Sequence, residues 1–227
     1  MRNLAVVILL AVAPWAAGAQ ESQTRNIGSF SGVKVTQGID VYLKKGDKES
    51  ARVEVNGVPA NQVITEVSGS YLKVHMSDGN RRGNIDVKVY VTYVKINRLS
   101  ASSGASIFSD GTISSNELEI GSSSGGTIEV AIETERADIS ASSAGEIELR
   151  GKAKSLTVDA SSAGEVDAYD LESQNVTAEA SSAGEVKVQV TTSLNANASS
   201  AGSIRYRGNP GKSMTNSSSG GSVRKSN

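Results

Sequence analysis

Seven pairs of adjacent serines, each followed by small residues, recur through the second half of the chain. They begin at Ser102, Ser123, Ser142, Ser161, Ser181, Ser199 and Ser218, at intervals of 21, 19, 19, 20, 18 and 19 residues. ASSAGEV stands at Ala160–Val166 and again at Ala180–Val186, and ASSAGEI at Ala141–Ile147. So regular a period, with strand-like residues between the copies, is what a chain needs to stack one structural unit on the next. The feature therefore predicts an all-β fold, a single-stranded β-helix (β-solenoid) with repeats of about 19–20 residues.

Side-chain alternation inside each unit supports this. In SLTVDASSAGEVDAYDL, Leu156, Val158, Ala160 and Ser162 fall on one face, and Thr157, Asp159 and Ser161 on the other. After Gly164, Val166 and Ala168 continue the first set, while Glu165, Asp167 and Tyr169 point away. Period-two alternation marks half-buried strands. The register places the second serine, Ser162 or Ser182, inward beside an alanine, and the first, Ser161 or Ser181, outward. Stacked coils would then align buried hydroxyls about 4.8 Å apart, and Ser162→Lys should be strongly destabilising while Ser161→Lys is mild. The glycine is expected to supply the positive φ of the bend.

The N-terminus reads as a cleavable secretory signal over residues 1–19. Arg2 precedes an apolar run from Leu4 to Ala13, and small residues lead to Ala17-Gly18-Ala19. That run is shorter than the roughly 20 residues of a membrane span. The mature chain, 20–227, is expected to be one exported β-helix domain, with irregular N-terminal strands over 27–98 and regular repeats over 99–223. Phe30, Tyr42, Tyr71 and Tyr90 are candidates to close its N-terminal end, and the last four residues are expected to be loose. The chain has no cysteine, which removes disulfides, thiol nucleophiles and a bacterial lipid anchor at the cleavage site. No later segment is apolar enough for a membrane span. Net charge is −1, becoming −2 once Arg2 leaves with the signal, so no basic footprint for nucleic acid is expected.

The opening IGSFSGVKVTQGIDVYLKKGD, the later LKVHM and the recurring SSAG together resemble the head GIN domain family of auto-transporter adhesins. The resemblance covers essentially the whole mature chain. It implies a right-handed β-helix in an exported bacterial protein, and it supplies no catalytic residues. This sequence has no C-terminal membrane barrel, so the resemblance does not make it a complete auto-transporter.

Catalytic matches are weak. GSSSG at Gly121–Gly125 fits the hydrolase pattern around a nucleophile at Ser123, but that motif needs a strand–turn–helix elbow and a histidine. The only histidine is His75, on an alternating strand. GNPGKS at Gly208–Ser213 has the wrong spacing for a phosphate loop, whose first glycine would fall at Tyr206. Glu146, Glu165 and Glu185 share one repeat position and form an acidic ladder, with Glu148, Asp167 and Lys187 two residues on. They are the candidate metal ligands, for a hard cation such as calcium; a solvated, solubilising face is the alternative. Mutual repulsion predicts that Glu165→Gln leaves stability unchanged or slightly raised. No catalytic residue and no cofactor is indicated. The expected function is that of an exported, non-enzymatic, adhesin-like or cell-envelope interaction module in the periplasm or at the cell surface. Its partner would be an envelope or extracellular protein or glycan. A polysaccharide-binding or polysaccharide-active protein on the same scaffold is the alternative, and a purely structural envelope component a third.

Overall fold

The computed structural model describes residues 21–79 and 85–226; the leader expected over 1–19 lies outside them. Five long, bent strands make the body of a β-solenoid of about seven turns. They are β9 (Ser106–Ser123), β10 (Thr127–Ser142), β11 (Glu146–Ser161), β12 (Glu165–Ala180) and β13 (Glu185–Ala198), numbered after the eight strands that precede them. Each is one coil, paired in parallel with the next. β14 (Ser203–Arg207), β15 (Lys212–Ser217) and β16 (Ser222–Lys225) continue the stack.

The inward positions follow the repeat. Ile107, Ile128, Ile147, Val166, Val186 and Ile204 lie in register and are all buried. Each such side chain contributes on the order of 1.5–3 kcal/mol by leaving water. A second inward column runs Ala101, Ser122, Ala141, Ala160, Ala180 and Ala198, also buried. Ser122 is satisfied there, donating from Oγ to the Gly126 carbonyl at 2.6 Å. Alternating large and small columns let so thin a tube fill without voids.

Upstream strands extend the tube on two faces. On the first, β3 (Asp40–Lys45) pairs in parallel with β9 and with β7 (Asp86–Tyr93). β4 (Ser50–Asn56) and β1 (Glu21–Asn26) then add antiparallel. On the second, β8 (Arg98–Ser102) pairs with β9 and β2 (Gly32–Val35), followed by β6 (Tyr71–Met76) and antiparallel β5 (Val63–Ser68). A 3-10 turn, Ala60–Gln62, crosses between the faces, and Val53, Ala60, Val63 and Met76 are buried at this end. Arg25 donates to the carbonyls of Val63 at 2.6 Å and Ala60 at 2.8 Å, tying β1 to the opposite face. Of the four aromatic residues expected to close this end, only Phe30 is buried. Tyr42, Tyr71 and Tyr90 stand at outward positions of β3, β6 and β7, because aliphatic neighbours already fill the interior.

The serine motif differs from its expected register. Ser162 and Ser182 are exposed; Ser161 and Ser181 are half-buried. The strand ends at the first serine, and the next two residues form the turn. Ser162 has φ 49° and Ala163 φ 59°; Ser182 and Ala183 have φ 48° and 62°. Two consecutive positive φ values, with Gly164 N–H donating to the Ser161 carbonyl at 2.8 Å, make a tight type I′-like reversal. The left-handed conformation costs a non-glycine residue roughly 1–2 kcal/mol. A second ladder offsets that cost: the Ala144 N–H donates to the Ser162 carbonyl and the Ala163 N–H to the Ser182 carbonyl, both at 3.1 Å. At Gly104, Gly125 and Gly220 a glycine does take the second positive φ of the turn, as expected, but in the four SSAG copies alanine takes it and the glycine that follows does not. It sits where the chain re-enters the tube: a Cβ on Gly145 would lie 2.6 Å from the Ser122 carbonyl of the coil below, and one on Gly164 would strike that of Ala141. Close approach of backbones, rather than conformational freedom, requires it.

Of the last four residues, expected to be loose, Asn227 lies outside the described residues and the other three are held. Arg224 and Lys225 belong to β16, and the Ser226 N–H donates to the Tyr206 carbonyl at 2.8 Å. Ser213, Thr215 and Ser217 replace the inward Leu194, Ala196 and Ala198 of the coil below and are exposed. β15 thus carries hydroxyl side chains at positions that are aliphatic in β13.

Gly164→Ala is expected to cost about 1–3 kcal/mol by overpacking against fixed backbone, whereas Ser162→Lys should stay within about 0.5 kcal/mol. Chemical denaturation of both variants checks this. The opposite order would restore the buried-serine register.

Candidate binding surfaces

Outward side chains on the first face form columns along the solenoid axis, and the repeat decides which residues stack. At the N-terminal end, Tyr42 lies between Tyr90 and Phe108, with centroid distances of 5.2 Å to each ring. The guanidinium of Arg52 covers the far side of Tyr90 at 4.2 Å and forms an ion pair with Glu54. These rings stand up from the sheet and use their faces on one another. Stacking adds about 0.5–1.5 kcal/mol per pair, and it covers both faces of Tyr42 and Tyr90.

Further along that column come Glu129, Glu148 and Asp167, then Lys187, Arg205 and Arg224. Glu146, Glu165 and Glu185 are aligned in the neighbouring column, so the expected ladder exists. Lys187 enters it. Its Nζ lies 2.6 Å from Glu165 Oε1, 3.5 Å from Asp167 Oδ2 and 3.6 Å from Glu185 Oε1. Arg205 takes the same Glu185 oxygen at 2.6 Å. The ammonium thus sits where a cation shared by Glu165 and Glu185 would sit. The Glu165 hydrogen bond is the main cause of a lysine pKa raised above 10.5; partial burial opposes it, and the charges of Glu165, Glu185 and Asp167 add to it. The expectation for Glu165→Gln, drawn from repulsion alone, therefore changes sign: the substitution removes the closest partner of Lys187. No three His, Cys, Asp or Glu side chains converge as a metal-binding group among the described residues.

Charge is sorted along the axis. Residues 110–185 hold sixteen acidic and four basic side chains, and 186–227 hold six basic and none acidic. The middle coils are strongly negative and the final coils positive.

The second face carries a recess of about 530 Å³ near its N-terminal end. Its floor is low because Ser100, Gly121 and Ser140 occupy one outward column in register. Lys34 and Lys73 head that column as direct cross-strand neighbours. Neither lysine has an ion pair among the described residues, although Glu66 lies across from Lys73 on β5. Arg98, at the side, is held by Glu119 at 3.1 Å. Tyr71 lies over Gly32: a Cβ there would come 2.7 Å from Cδ1 and Cε1 of the ring. The pairing of Lys34 with Lys73, and the ring over Gly32, depend on β2 and β6 being adjacent, and no sequence spacing announces that.

Ser123 ends β9, and the chain turns directly into β10, so the nucleophile elbow of the GSSSG pattern is absent. His75 is half-buried on β6, its Nδ1 2.9 Å from the Met76 carbonyl oxygen. Gly208–Pro210 and Gly211 link β14 to β15.

The family model described as "Putative auto-transporter adhesin, head GIN domain" matches residues 29–210. The chain belongs to the head GIN domain family. Its fold is shared with crystal structures of a putative adhesin of Bacteroides fragilis (16% identity, TM-score 0.85, covering 92% of this chain and 98% of that one) and of a putative adhesin of Parabacteroides merdae (18%, 0.72, 93% and 98%). It is shared equally with a putative lipid binding protein of Parabacteroides distasonis (20%, 0.71, 93% and 98%). At these identities the likeness concerns the fold. No curated protein sequence matches this member of the family.

Lys187 gives the first face a pH signature. A lysine whose folded pKa is raised stabilises the fold fully below its ordinary value of 10.5 and loses that contribution as pH rises through the higher folded value. Lys187→Met is expected to lower stability by about 1–2 kcal/mol near neutrality, with the gap to the native chain closing above pH 10.5. Denaturation series at both pH values check this. Calcium is expected to leave the native melting temperature unchanged; a rise abolished by Glu165→Gln would reveal a metal site instead.

Proposed function

We propose that this head GIN domain protein is an exported, non-enzymatic interaction module of the cell envelope that binds its partner through the outward faces of the solenoid. Family membership supports an adhesin-like role. The observation that carries the non-enzymatic reading is the lining of the recess on the second face. The recess on the second face brings together lysines, an arginine, serines and a tyrosine, with Glu119 held by Arg98. A paired acid and base, the usual equipment for breaking a glycosidic bond, is not assembled there. The partner is an envelope or extracellular protein or glycan, and the site of action is the periplasm or the cell surface.

Retention of the purified mature chain on arrays of envelope glycans and extracellular proteins tests this, with the same glycans assayed for new reducing ends or unsaturated products. Retention without product is the expected result. Turnover of any glycan would replace the module with an enzyme, and the absence of retention on every surface would leave the structural role. Protease treatment of intact cells should degrade the protein if it faces outward and spare it if it stays in the periplasm.

A further inference from the structure

Two lysines stand side by side at the head of the recess. Lys34 and Lys73 are paired across parallel strands, where like charges oppose one another and destabilise the sheet. Some cations of the molecule find acids: Lys154 takes Glu135 at 3.1 Å, Arg136 takes Glu117 at 2.8 Å, and Lys187 takes Glu165. Neither has an acid within ion-pair distance among the described residues, so the two ammonium groups can together answer an anionic ligand at the mouth of the recess.

Beside them is an aromatic ring of a different kind from those on the first face. The Tyr42, Tyr90 and Phe108 rings cover each other. Tyr71 instead lies down on Gly32, which is buried beneath it. Only a residue without a Cβ permits that posture. No ring or guanidinium stacks on Tyr71 among the described residues. One face of the ring is thus supported by the sheet, and the ring lines the recess. The hydroxyls of Ser100 and Ser140 follow on the floor, and those of Ser123 and Ser142 along the edge.

We infer that this recess binds a short acidic glycan, a uronate-bearing oligosaccharide whose carboxylate rests between Lys34 and Lys73 while a sugar ring packs on Tyr71. The inference deepens the proposed function and rests on it. A pyranose presents an apolar face of C–H groups to an aromatic ring and a rim of hydroxyls to serine side chains, and a uronate adds the carboxylate that an ammonium pair neutralises. A neutral sugar would leave the lysines unanswered, and a bare anion would need neither the ring nor the hydroxyls. The strip also limits length. From Lys73 to Ser140 is four strand spacings, about 19 Å, and the next positions are Asp159 and Glu179. A long polyanion would be repelled there, so the carboxylate belongs at the lysine end and the ligand is short.

Isothermal titration of the mature chain with trigalacturonate, with maltotriose as the neutral control and phosphatidylglycerol vesicles as a lipid control, tests this. Trigalacturonate is expected to bind, more weakly as salt rises, and maltotriose and the vesicles are not. K34Q/K73Q and Y71A should each weaken binding about tenfold or more. G32A, which touches no ligand but displaces the ring, should also weaken it. K212Q/K225Q, at the far end, should bind as the native chain does. All these positions are outside the packed interior except Gly32, so melting temperatures of the lysine and tyrosine variants verify folding. Equal binding of maltotriose, equal losses in the far-end variant, binding of vesicles alone, or no binding of trigalacturonate would each overturn the inference. If K34Q/K73Q keeps the array partner of the native chain, this site falls and the interaction module stands; if the native chain retains no partner, the broader reading falls with it.

Discussion

Everything in this molecule depends on parallel coils stacking in register at the distance set by backbone hydrogen bonds. That distance is fixed near 4.8 Å, so each coil must offer the next a surface of the same shape. The tightest point is where the chain re-enters the tube after its turn, with Gly145, Gly164, Gly184 and Gly202 pressed on the carbonyls of the coil below. A methyl group there would push the coils apart along their whole length. The strained Ser-Ala turns persist because the same stacking gives each a hydrogen bond to its neighbour. Strain at one point of the repeat and pairing at another are consequences of one constraint.

Because the inward columns are set by stacking, the outward columns are free to vary from coil to coil. On the first face the variation produces an aromatic stack, then acids, then cations. Lys187 shows how the repeat can reverse its own chemistry: one substitution at the Asp167 position turns an acidic ladder into a network centred on an ammonium. On the second face small residues at Ser100, Gly121 and Ser140 lower the surface, and the lysine pair closes one end of the resulting recess. A rigid scaffold with a variable exterior suits a family whose members are described as adhesins, since binding surfaces can change without altering the core.

The two ends of the solenoid are protected in different ways. At the N-terminal end β1, β4 and β5 run antiparallel to their neighbours and Arg25 ties the faces together. At the C-terminal end the inward positions of β15 are serine and threonine, and the charged residues of 186–227 are all basic. Polar and charged residues on an open edge oppose the end-to-end association that an exposed ladder invites.

The period of the serine pairs and the alternation of Val, Ile and Ala determined the all-β solenoid, its inward columns and the alignment of Glu146, Glu165 and Glu185. These depend on local geometry: a strand has period two, and equal repeats stack in register. The same alternation misplaced Ser162 and Ser182, because counting by twos assumes that the strand continues, whereas it stops at Ser161 and two residues of positive φ intervene. A turn of that kind is decided by the hydrogen bonds it makes to the coils above and below. Tertiary structure alone also decided the N-terminal end, where the order of strands along each face is not their order in sequence. That reordering sets Lys34 beside Lys73 although they are 39 residues apart, lays Tyr71 over Gly32, and so creates the recess. In the regular coils neighbours in space are one period apart in sequence and can be read; in the irregular coils no period exists, and only the folded backbone brings the residues together.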